Sequence, residues 1–78
     1  MARERVSEIV AEMVANVMSV AVEPGDKVAA GDVVILLESM KMEIPVIAET
    51  GGTVRAVRVG PGDVVQEGDV LLELVLTD

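Results

Sequence analysis
The chain contains no cysteine, no histidine and no Phe, Tyr or Trp, and each of these absences closes off a class of function. Without cysteine there is neither a disulfide framework nor a thiolate metal site, so the fold must rest on apolar packing. The lack of both histidine and cysteine removes the commonest general base and the strongest protein nucleophile, and Ser7, Ser19 and Ser39 have no basic partner nearby in sequence. An enzyme acting alone is therefore not expected. With no aromatic ring there is no stacking platform for unpaired bases, and a net charge of -8 repels a phosphate backbone. Nucleic acid is not expected as a partner. Long apolar runs are missing too: none approaches the length of a membrane-spanning helix, and the charged start Met1-Ala2-Arg3-Glu4-Arg5 leads into no signal-peptide core. A soluble cytoplasmic protein without membrane association is the expectation. Cations are scarce, six Lys and Arg against fourteen Asp and Glu, and the acidic residues fall singly between apolar ones, as on a solvated surface.

What the chain does have is aliphatic side chains. Seventy-eight residues, 51% of them hydrophobic, make a single domain, 1–78, near the lower size limit for a core without covalent staples. The abundance of Val favours β structure. The first segment, Val6 to Met13, alternates weakly and reads as a strand, with Ile9, Ala11 and Met13 on one side. In Asn16 to Val22 the alternation puts Met18, Val20 and Val22 on one face, so Met18 is expected to point inward, and Glu23-Pro24-Gly25-Asp26 ends the segment as a turn. Lys27-Val28 reads as a very short strand, and Ala30-Gly31-Asp32 turns into the run Val33–Glu38.

Sliding the sequence against itself exposes an internal repeat. At an offset of 37, residues 9–38 align without a gap on 46–75, with thirteen identities in thirty positions. Pro24-Gly25-Asp26 falls on Pro61-Gly62-Asp63, Gly31-Asp32-Val33 on Gly68-Asp69-Val70, and Leu37 on Leu74. Two copies of four short strands with regular turn signals predict an all-β sandwich or barrel with a pseudo-twofold axis. That axis makes the first strand near Ile9 and the last near Leu74 antiparallel neighbours. The same offset sends Lys41 to Glu4 and Asp78, so the link between the copies is one pole of the molecule and the chain ends are the other.

That link is Glu38-Ser39-Met40-Lys41-Met42-Glu43, between the runs Val33–Glu38 and Ile44–Ala48. It must reverse the chain, yet it holds no Gly, Asn, Asp or Pro to ease a tight turn. A strained turn predicts a functional one. Met40-Lys41-Met42, with Glu38 before it and Glu43 after, resembles the biotin-attachment motif of biotinyl domains, the carrier modules of biotin-dependent carboxylases and decarboxylases. Related lipoyl domains usually set their lysine between Asp and a small residue, so the paired methionines look like the biotin version. Ser39 stands where that family most often has Ala, one small residue for another, and Ala11-Glu12-Met13-Val14-Ala15 replaces a Pro-rich turn found in many members. The gapless repeat also leaves no room before Pro24 for the protruding loop of some acetyl-CoA carboxylase carriers.

The resemblance covers nearly the whole chain and implies a flattened barrel-sandwich of two four-stranded antiparallel sheets. It also implies a function. A biotin protein ligase would join biotin to the Lys41 amine, and the biotinyl arm would carry CO₂ as carboxybiotin from a biotin carboxylase to a carboxyltransferase, commonly of the acyl-CoA carboxylase type. The domain itself would be a monomeric, non-catalytic carrier, with chemistry supplied by the cofactor. Met40 and Met42 would be adaptable apolar contacts for the ligase, while Glu38 and Glu43 would orient or exclude enzymes. The alternatives are a lipoyl carrier and an unmodified interaction module of the same fold. An initial Met and an unremarkable end favour a free-standing carrier.

Overall fold
The run Val33–Ser39 is too apolar for a strand with one wet face, and its side chains show why: Val34, Ile35 and Leu37 are all buried. It is the fourth of eight strands in the computed structural model, which describes residues 4–77. In chain order these are β1 (Glu4–Val10), β2 (Ala15–Val20), β3 (Lys27–Val28), β4 (Val33–Ser39), β5 (Met42–Ile47), β6 (Gly52–Val57), β7 (Val64–Val65) and β8 (Val70–Thr77). They form two four-stranded antiparallel sheets, ordered β1-β8-β6-β3 and β5-β4-β2-β7. The core lies between them, centred on Ile35, Leu37, Leu71, Leu72 and Leu74 with Val17 and Val54.

Each sheet takes two strands from each copy of the repeat, so the copies interlock instead of stacking side by side. The turn chemistry explains which residues repeat. In the first copy, the Gly25 N–H donates to the Val54 carbonyl and the Val54 N–H to the Asp26 carbonyl; in the second, Gly62 donates to Val17 and Val17 to Asp63, all at 2.8 Å. Each Pro-Gly-Asp turn thus grips a strand of the other copy. The glycines sit at φ 97° and 92°, where a Cβ is strained. Asp26 and Asp63 accept a further bond, from the N–H groups of Glu23 and Gly60.

The predicted ladder between the chain's two ends is present: Ile9 stands opposite Leu72 and Ser7 opposite Leu74. The molecule measures 46 × 19 × 17 Å. The β4–β5 hairpin occupies one end of its long axis and the Glu4–Thr77 end of the β1–β8 ladder the other.

Two expectations need correction. Met18 does not point inward; it is 39% exposed, and Val17 is buried in its place. A β-bulge between Val17 and Ser19 inserts one residue opposite Leu36 and shifts the alternation. The second copy has the same bulge between Val54 and Ala56. The first strand also ends at Val10, not Met13. Beyond it Ala11 still enters the core, holding Asp69 and Gly68 through its N–H and carbonyl, while Met13 lies half-exposed.

Candidate functional site
The hairpin at the free pole is closed by the Ser39–Met42 pair, which leaves Met40 and Lys41 as a two-residue loop. Both have positive φ, 53° and 64°, and they are the only described residues other than glycine that do. This is the geometry of a type I′ turn, whose twist matches that of a hairpin but which normally takes Asn-Gly. Two L-residues with long side chains pay about 1–2 kcal/mol each for this conformation. Six paired positions of β4 and β5 hold them there.

The consequence is projection. Met40 is 91% exposed and Met42 66%, and Lys41 is exposed at the tip. The Lys41 amine forms no hydrogen bond or ion pair with any described residue. Lys27, the other lysine, lies instead in β3, paired with Thr53 across the short β3–β6 ladder. Glu38 and Glu43 stand directly opposite each other one step below the Ser39–Met42 pair. Their neighbours Leu37 and Ile44 turn toward the core, so the two carboxylates share the outer face of the sheet. The structure therefore gathers all five residues singled out by the motif at one end of one hairpin. Among the described residues no group of acidic side chains could hold a metal ion, and no helix is long and apolar enough to cross a membrane.

The site is thus an exposed primary amine on a two-residue hairpin tip, away from the Glu4–Thr77 end of the β1–β8 ladder. Known proteins resemble the chain in sequence and in fold. The family model described as biotin-requiring enzyme matches residues 5–74. The chain belongs to that family. A biotinylated protein of Mycobacterium tuberculosis, TB7.3, is 60% identical over 40 residues, which is 51% of this chain and 56% of that protein. The chain thus spans about half the length of the curated relatives it matches. Among solved structures, a single-chain, multi-domain long-chain acyl-CoA carboxylase superposes with a TM-score of 0.86 at 34% identity, covering 94% of this chain and 7% of that one. The lipoyl domain of the Azotobacter vinelandii 2-oxoglutarate dehydrogenase complex gives 0.69 at 26% identity, covering 78% and 77%. The all-β biotinyl fold and biotin as the family's cofactor follow from these likenesses.

One feature escaped the sequence reading. Glu73, expected on a solvated surface, is only 8% exposed. Its carboxylate accepts from Arg58 Nε and Nη2 at 3.0 and 2.7 Å, with Arg55 at 3.7 Å. The cluster lies on the other sheet from the hairpin and has no part in the site.

Proposed function
We propose that Lys41 is the covalent attachment point for biotin and that residues 1–78 act as one non-catalytic biotinyl carrier domain. The observation that carries this reading is the left-handed Met40-Lys41 turn, which holds a single unpaired amine at the free pole. The residues fit the group: an amide to biotin removes the amine's charge, and among the described residues no partner loses a contact when it does. Bound there, biotin supplies a ureido ring able to take up and release CO₂.

The chain's own contribution is presentation. Met40 and Met42 offer flexible apolar surface to the enzymes that approach the tip, and Glu38 and Glu43 set its charge. Those enzymes are a biotin protein ligase, a biotin carboxylase and a carboxyltransferase acting on an acyl-CoA, in the cytoplasm. The likeness to a lipoyl domain is one of fold; the methionines on both sides of Lys41 favour biotin.

The test uses the two lysines. Co-expressed with a biotin protein ligase, Lys27→Arg should bind avidin as the parent does, and Lys41→Arg should not bind at all. Loss of binding in Lys27→Arg with retention in Lys41→Arg would overturn the assignment.

A further inference from the structure
Two shallow grooves lie along the side of the molecule where the edge strands β1 and β5 run, one in each half. A shift of 37 carries every residue lining one groove onto a residue lining the other. Leu37 and Leu74 correspond as floors and Glu12 and Glu49 as rims, while Val10 and Ile47 line both. The fold thus builds the same groove twice, and the sequences of the two differ at three telling positions. Met13, Ile44 and Pro45 line the groove in the Lys41 half; Thr50, Ser7 and Glu8 take their places in the half toward the Glu4–Thr77 end of the β1–β8 ladder.

Architecture does not require this difference. The twin groove carries Thr, Ser and Glu on an equivalent backbone, and of the apolar set only Ile44 packs against the core, so Met13 and Pro45 are not there to fill it. The apolar set also leaves surface in water, with Met13 38% exposed where its twin is Thr50. The distinguishing circumstance is position: the apolar groove begins at Ile44, next to the hairpin, and encloses about 130 Å³.

We propose that this groove is a resting site for the biotinyl group on Lys41 of the same chain, an inference that rests on the attachment proposed above. Reach allows it. Ile44 lies two residues below Met42, roughly 7 Å along the strand. A biotinyl-lysine arm has about eleven single bonds between Cα and the ring; at the ~1.2 Å per bond of an extended main chain it spans roughly 13 Å. The chemistry is complementary. The thioether ring and the alkyl chain pack on Met13, Ile44 and Pro45, and the ureido group stays at the rim beside β5, an edge strand with main-chain groups on its open side. Tethering keeps the effective concentration of the ring high, so a shallow site suffices. Leaving the groove then precedes each delivery to an enzyme.

The experiment compares unmodified and biotinylated protein by methyl NMR, after intact mass has verified one biotin on Lys41; failure at that first step would count against the attachment and not against the groove. Expected are shifts of the Met13, Ile44 and Val46 methyls and nuclear Overhauser contacts from them to biotin ring protons, unchanged on dilution, with Ile9 in the twin groove unaffected. Replacing Met13→Thr, Ile44→Ser and Pro45→Glu, the twin's own residues, should erase those contacts and raise the rate of avidin capture severalfold. Perturbations confined to residues 40–43, contacts that vanish on dilution, or an unchanged capture rate in the triple variant would overturn the proposal.

Discussion

Glu38 and Glu43 face each other across the β4–β5 ladder, two like charges on adjacent strands immediately below the Met40-Lys41 turn. Like charges directly opposite destabilise a strand pair by a few tenths of a kcal/mol or more. A domain without disulfides carries this cost at the place proposed above for docking of its partners.

Glu43→Gln is expected to raise stability by about 0.2–1 kcal/mol, with the gain shrinking as salt screens the pair. Biotinylation should slow at the same time. Urea denaturation at low and high ionic strength, alongside ligase kinetics, checks both halves; a stability loss would mean that the carboxylates are held by something other than mutual repulsion.

The turn itself makes a second case of stability exchanged for function. Asn enters the left-handed region more easily than Met, so Met40→Asn should stabilise the domain by up to about 1 kcal/mol. If Met40 is also a recognition residue, the same variant becomes a poorer ligase substrate. Thermal melts and ligation rates measured on one preparation separate the two effects.

The bulge in β2 sets the ranking of core substitutions. Met18→Ala should cost less than about 1 kcal/mol, because the side chain is on the surface. Leu37→Ala and its twofold mate Leu74→Ala, both fully buried, should each cost about 2–5 kcal/mol and by similar amounts. Midpoints of urea unfolding give the order, and a large loss in Met18→Ala would contradict the bulged register.

Glu73 occupies the position that the repeat assigns to Leu36. Glu73→Leu, which copies its mate, should leave stability within about 1 kcal/mol of the parent or above it, since it removes the desolvation cost of a buried carboxylate and leaves Arg58, more than half exposed, free to be solvated. Arg58→Ala should be worse, by about 1–3 kcal/mol, because the carboxylate loses both of its close hydrogen bonds. Equilibrium unfolding of the two variants decides it.

Most of this architecture was legible because its determinants are local or repeated. Pro24-Gly25-Asp26 and Pro61-Gly62-Asp63 announce identical turns, and the offset between them implies the twofold axis. Lys41 stood out because its flanks hold none of the residues that make a reversal easy. Met18 was misplaced because a bulge is an insertion in the pairing and leaves no mark in Val17-Met18-Ser19 itself. Its mate carried the warning: Arg55, the equivalent residue, is a poor candidate for a core. The burial of Glu73 was not readable at all, because it depends on a guanidinium fifteen residues away brought alongside by the β6–β8 pairing. The apolar groove became visible only when strands from separate parts of the chain were seen to share a side.

The central claim is that this fold exists to hold one lysine out for biotin. Intact mass of the protein purified from its own host, followed by peptide mapping, tests it most directly. The account predicts a single added biotinyl group located on Lys41, with Lys27 unmodified. An unmodified chain from cells with an active ligase, a mass increment matching lipoate, or biotin located on Lys27 would contradict it.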